Sequence, residues 1–170
     1  AAIYYRMSQY PYVPYGTTVH GQDEINDVVH VLQTTTQMGK HVRELETRVA
    51  ALYDKKYGIG VNSGSSALYL AADLLDFEPG SEILTPALTF STTVAPQIKK
   101  GWVPAFLDVE EGTYNVDVNK VEEMITPKTR AMIIPNLIGN LPDWKVLREI
   151  ADKHNLFVLE DSADTLGAEI

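Results

Sequence analysis

Apolar residues recur along this chain at two spacings, and the alternation between them lays out its elements. From residue 23 to 32, Ile25, Val28, Val29 and Leu32 fall on one face of a helix. The Thr34-Thr35-Thr36 run breaks that pattern. Gly39 then precedes a second helix striped by Val42, Leu45, Val49 and Leu52. That helix runs toward Lys55-Lys56-Tyr57-Gly58, basic residues and then glycine, as a C-terminus should. Residues 57–61 read as a short buried strand, after which Leu68, Ala71, Ala72 and Leu75 return to helical spacing. Glu82-Ile83-Leu84 is a strand entered through Pro79-Gly80, and residues 91–99 form a helix. Residues 102–107 form a strand ending at Asp108, and Asp117 caps a helix carrying Val121, Met124 and Ile125. The unbroken apolar run Ala131-Met132-Ile133-Ile134 marks a strand buried on both faces. Asp143 caps a helix carrying Val146, Leu147, Ile150 and Ala151. Phe157-Val158-Leu159 is another buried strand, closed by Glu160-Asp161.

Strands alternating with helices predict an α/β fold: a mainly parallel sheet with flanking helices. Ligands of such sheets sit at the carboxyl ends of the strands. Here that edge holds the turn at 63–67, the loop at 85–90, Asp108, Pro135-Asn136 and Asp161. Residues 1–20, rich in Tyr, Pro and Gly, read as an extended segment, and residues 21–170 as part of one larger domain. The chain opens without Met and stops soon after a strand and a glycine, which suggests a piece of something longer. A formal net charge of -9 argues against a nucleic-acid partner. No apolar run reaches membrane-spanning length, and no signal peptide is visible. Without cysteines there is neither a disulfide framework nor a thiolate metal site, which is compatible with the cytoplasm. His20, His30, His41 and His154 are scattered, so no metal site is expected.

Chemistry concentrates at the turn Asn62-Ser63-Gly64-Ser65-Ser66-Ala67. Asn62 or Ser63 can cap the helix that follows, and Gly64 lets the backbone approach a ligand closely. Free N–H groups and the positive end of the helix dipole then suit an anion, a phosphate best of all. Ser65 and Ser66 add hydroxyl donors; the plainer reading is a capped helix in an ordinary α/β unit. At the end of the last strand, Asp161 and Glu160 must point to opposite faces, so they do not share one task. Asp161 either caps the following turn or, beside a phosphate cradle, holds a proton on the ring nitrogen of pyridoxal phosphate. Phe90 can stack on that ring or pack in the core. Asp164 can reach a ring substituent or face solvent.

Five segments in this order resemble the DegT/StrS-type sugar aminotransferases: residues 62–68, Thr85-Pro86-Ala87-Leu88-Thr89-Phe90, residues 106–109, Asn136-Leu137-Ile138-Gly139-Asn140 and residues 160–167. The resemblance runs from about Tyr10 to the last residue. It implies the N-terminal part of the large domain of a type I pyridoxal-phosphate-dependent transferase. It also implies a homodimer acting on a nucleotide-linked keto sugar in polysaccharide, lipopolysaccharide or deoxysugar biosynthesis, and a cytoplasmic location is expected. By resemblance, Gly64, Ser65 and Ser66 bind the cofactor phosphate, Phe90 stacks on the ring, Asp161 meets the ring nitrogen, and Asp164 lies near the ring hydroxyl.

Many aminotransferases of the family carry Gln or Glu where Asp164 stands and His where Asn136 stands. The Asn-Ser-Gly-Ser-Ser opening, Thr92-Thr93-Val94-Ala95-Pro96, residues 112–117 and Asp164 look more like the 3-dehydrase branch. That branch uses pyridoxamine phosphate, and a His replaces the Schiff-base Lys. Either residue is expected beyond Ile170, so no catalytic residue lies in this chain and the 170 residues alone are expected to be inactive. Lys99, Lys100 and Lys153 read as surface lysines. Regulators that only bind the cofactor are a third possibility within the fold. Gly58-x-Gly60 with Gly64 does not fit a dinucleotide fingerprint, because the first two glycines precede or lie within the strand. No Gly-x-Ser-x-Gly elbow is present.

Overall fold

The computed structural model describes Pro14, residues 17–37 and residues 39–168. Most of the extended segment assigned to residues 1–20, including the tyrosines of 10–16, lies outside the described residues. The chain divides into two units, residues 1–42 and 43–170. The first contains helix α1 (Gln22–Thr34), where Glu24 reaches back to accept the Gly21 amide at 2.6 Å. Hydrogen bonds from its own amide and then from the Gly21 amide hold the Glu24 carboxyl below the usual glutamate range. α1 buries none of its residues.

Helix α2 (Lys40–Leu52) leads into the second unit. It ends where Asp54 turns left-handed at φ 50°, with the Lys55 amide donating to Ala50 O at 2.8 Å. Asp54 therefore takes the terminating role expected of Gly58. Gly58 is required for a different reason: a Cβ there would lie 2.3 Å from the Glu46 carbonyl oxygen. The Gly60 amide donates to Glu46 Oε1 at 2.7 Å. Residues 57–61 are thus strung along α2 and form no strand, contrary to the buried strand expected there; Tyr57 and Ile59 are each 75% exposed. A strand needs a neighbour for its backbone groups, and among the described residues none lies beside this segment.

Four strands build the sheet: β1 (Glu82–Pro86), β2 (Val103–Leu107), β3 (Thr129–Pro135) and β4 (Phe157–Asp161). All pairings are parallel, in the order β2-β1-β3-β4. Alternate residues supply two cores. Leu84, Leu107, Met132 and Ile134 pack with Leu147 and Ala151 of α5 (Trp144–His154). Ile83, Ala131 and Ile133 pack on the other face with Leu68 and Ala72 of α3 (Gly64–Leu74). Helix α4 (Ser91–Lys99) joins this second face, burying Thr93, Pro96 and Gln97. β3 is enclosed as its apolar run predicts. Among the described residues β4 ends the strand order and is half-buried.

Asp143 caps α5 through the Val146 amide at 3.0 Å, and Asn155 ends it in the left-handed conformation. The helix expected after Asp117 is instead two 3-10 turns, Val118–Lys120 and Glu122–Met124, with Asp117 accepting the Asn119 amide at 3.1 Å. Pro127 biases Thr126 away from helix and so limits how far these turns extend. Glu122 anchors these turns to α5, meeting Lys153 Nζ at 2.5 Å and His154 Nε2 at 2.6 Å. Hydrogen bonds from His154 and then Lys153 hold its carboxyl below the usual range. No described helix is long and apolar enough to cross a membrane, and no group of potential metal ligands forms among the described residues.

Candidate active site

The turn before α3 is built as its composition demands. Of the two candidate caps, Ser63 is the one used: its Oγ accepts the Ser66 amide at 3.1 Å. Asn62 accepts the Ser66 hydroxyl at 2.6 Å and so braces the turn from its other side. The amides of Gly64 and Ser65 have no hydrogen-bond acceptor among the described residues. Both belong to the first turn of α3, where backbone donors lack intrahelical partners.

Three contacts join this turn to the other predicted residues. A Cβ on Gly64 would stand 3.7 Å from the Ala163 side chain, which places the turn against the segment after Asp161. Ser65 Oγ and Thr92 Oγ1 lie 3.2 Å apart, which ties the start of α3 to the start of α4. One residue on, Thr93 Oγ1 donates to Asp161 Oδ2 at 2.9 Å. Phe90 occupies the cap position of α4 and is 65% exposed, so its ring is not spent on core packing. Asp161 keeps a second hydrogen bond of its own, accepting the Ala163 amide through Oδ1 at 3.3 Å.

The alternation expected at the end of β4 is present. Asp161 turns toward α4, whereas Glu160 accepts from Asn136 Nδ2 at 2.8 Å and from Ser162 Oγ at 2.5 Å on the other face. Asn136 is 2% exposed and fully engaged, since it also donates to Ser162 Oγ at 3.0 Å and accepts from Trp144 Nε1 at 2.8 Å. This network orders the chain leaving β4 and borders a cavity of about 620 Å³ lined partly by Tyr53, Tyr57, Trp144, Glu160 and Ser162. None of Gly64, Ser65, Phe90 or Asp161 lines it. Asp164 is exposed and accepts the Ile138 amide at 3.1 Å, supporting a turn in which Ile138 is left-handed at φ 51°. Asp108, also at the carboxyl edge, sits 3.9 Å from Lys120 Nζ and joins no part of the Asp161 cluster. Lys153 is paired with Glu122, Lys100 lies 3.6 Å from Asp73, and Lys99 stands over the Tyr69 ring at 4.9 Å.

The arrangement offers an anion two free amides and clustered hydroxyls, an exposed aromatic ring, and a carboxylate at one sheet edge. A sequence profile of the DegT/DnrJ/EryC1/StrS aminotransferase family matches residues 19–170. The chain belongs to this family. It is 36% identical over 153 residues to the spore coat polysaccharide biosynthesis protein SpsC of Bacillus subtilis, covering 89% of this chain and 39% of that one. Among solved structures, GDP-4-keto-6-deoxy-D-mannose-3-dehydratase of E. coli with bound hydrated PLP matches with a TM-score of 0.86 at 30% identity. That match covers 92% of this chain and 42% of the other. NtdA of Bacillus subtilis with bound PMP matches with a TM-score of 0.80 at 30% identity, over 86% of this chain and 35% of that one. The fold is therefore that of the pyridoxal-phosphate-dependent aminotransferases, and the chain spans well under half the length of these relatives.

The residues fit such a cofactor on chemical grounds. Two unspent amides at a helix start, with the Ser65 and Thr92 hydroxyls beside them, suit a phosphate without a cation. Two contributors escaped the sequence reading. Thr92 and Thr93 stood out only as part of a resembling segment, yet they supply the side-chain links from α4 to the turn and to Asp161. Their signal was position: two hydroxyls in the first turn of a helix at the carboxyl edge.

Proposed function

We propose that the protein binds pyridoxal 5'-phosphate, or its pyridoxamine form, and acts as an aminotransferase on a nucleotide-linked keto sugar in polysaccharide or deoxysugar biosynthesis. The observation that carries this reading is the convergence of the Gly64–Ser66 turn and Asp161, joined through Thr92 and Thr93. Gly64 and Ser65 hold the phosphate, Ser66 braces their turn through its amide on Ser63 and its hydroxyl on Asn62, Phe90 covers the ring, and Asp161 keeps the proton on the ring nitrogen. Asp164 borders the ring hydroxyl from the turn it supports. When bound there, the cofactor supplies an electron sink for the carbon attached to nitrogen. The chain's own residues bind it, orient it and hold that proton; the Schiff-base Lys, or the His in its place, lies outside these 170 residues. We further propose a cytoplasmic homodimer.

A 3-dehydrase is the second reading. Asp164, Asn136 and the similarity to a GDP-4-keto-6-deoxy-D-mannose-3-dehydratase favour it. One experiment separates the two. Full-length protein is loaded with pyridoxal phosphate, treated with borohydride and examined by mass spectrometry, then assayed with glutamate and keto-sugar nucleotides. A covalent cofactor–lysine adduct with amino-sugar formation supports the aminotransferase. Cofactor binding without an adduct, with loss of a sugar hydroxyl, supports the dehydrase. No cofactor binding at all refutes both.

A further inference from the structure

Asp161 is the last residue of β4, where its backbone pairs with Pro135 of β3. The terminal torsion of an aspartate is broad, so packing on the backbone alone does not decide where its oxygens point. Something else must set that rotation if one oxygen is to face a ring nitrogen.

Thr93 has the properties required. It is 1% exposed, and its hydroxyl lies 2.9 Å from Asp161 Oδ2. A hydroxyl has one proton. With Asp161 ionised, that proton goes to the carboxylate, and Thr93 can only accept from its other neighbour. That neighbour is Thr89 Oγ1, at 2.9 Å. The donor order is therefore Thr89 to Thr93 to Asp161. Thr93 is itself held: Gln97, 0% exposed, donates to the Thr93 carbonyl oxygen at 2.9 Å. On the opposite side of the carboxylate the Ala163 amide approaches Oδ1 at 3.3 Å, a longer and weaker contact.

We propose that Thr93 is a positioning residue: its hydroxyl, oriented by Thr89, fixes the rotation of the Asp161 carboxylate so that the carboxylate stays aimed at the cofactor's ring nitrogen. This rests on the reading that Asp161 meets that nitrogen. It concerns the direction of the carboxylate rather than the presence of its charge, so it predicts an effect that appears only when a ring nitrogen is there to be met.

The test uses full-length protein and two probes, pyridoxal phosphate and its 1-deaza analogue, in which carbon replaces the ring nitrogen. Dissociation constants are measured by equilibrium dialysis for the parent protein and for Thr93→Val, Thr93→Ser and Thr89→Val. The parent should prefer pyridoxal phosphate. Thr93→Val should reduce that preference about tenfold while leaving affinity for the analogue unchanged. Thr93→Ser keeps the hydroxyl and should retain the preference. Thr89→Val, on the loop, should lower it by a smaller factor, and it serves alone if Thr93→Val does not fold. An unchanged preference in Thr93→Val, or in Thr89→Val where that variant stands alone, overturns the relay and leaves the Asp161 reading intact. Equal loss of affinity for both probes also overturns it, as a merely structural role would. No preference in the parent protein overturns the Asp161 reading, and the relay with it.

Discussion

Asp161→Asn separates the charge of the carboxylate from its shape. The carboxylate accepts the Thr93 hydroxyl at 2.9 Å and the Ala163 amide at 3.3 Å, one through each oxygen. An asparagine has one acceptor oxygen and one amino group. If its oxygen faces Thr93, its amino group meets the Ala163 N–H, donor against donor. If it is flipped, its amino group donates to Thr93, whose own proton loses its acceptor. Either way one donor is left without an acceptor, at a cost of about 1–3 kcal/mol in a half-buried site. Cofactor affinity should therefore fall by about tenfold, since phosphate and ring contacts remain. The loss in turnover should be larger, on the order of 10²–10³, because a neutral amide does not hold the proton on the ring nitrogen as charge develops. The assay is a pair of measurements on full-length protein: cofactor dissociation constant, and turnover at saturating cofactor. A ring-N-methylated cofactor, whose positive charge is permanent, should restore part of the variant's turnover. Wild-type turnover in Asp161→Asn would mean that the residue only caps the turn after β4. A loss confined to affinity would mean that the charge has no part in the reaction.

Three other outcomes test other parts of the structure. Ser65→Ala removes a hydroxyl beside the free amides and should weaken cofactor binding about tenfold, in competition with inorganic phosphate; unchanged affinity would move the phosphate elsewhere. Gly58→Ala sets a methyl group 2.3 Å from the Glu46 carbonyl oxygen, so α2 and the strap must separate at a cost of about 1–3 kcal/mol, read as a lowered thermal midpoint. Glu122 has its carboxyl held down by His154 and Lys153, so its contribution is complete above the ordinary glutamate pKa and is lost as pH falls through the lowered value. Glu122→Gln should accordingly flatten the stability profile below about pH 4.3; an identical acid limb in both proteins would refute the pairing.

Local pattern was enough to place most elements, because a helix or an enclosed strand is specified by residues close in sequence. α5 and β3 follow directly from a stripe with its cap and from an unbroken apolar run. The capped turn before α3 was also legible, since Ser63, Gly64 and Ser65 lie within one turn of each other and the cap is a short-range bond. Tertiary structure decided whatever depended on a neighbour. Residues 57–61 have the composition of a strand but no strand beside them, and Gly58 answers to the Glu46 carbonyl instead. Asn136 looked like one residue of a family segment and proves to be the centre of a four-residue network with Trp144, Glu160 and Ser162. Asp161 was visible as a carboxylate ending a strand. Its link to Thr93, 68 residues earlier, was not, because no sequence spacing encodes which helix comes to rest against a strand's end.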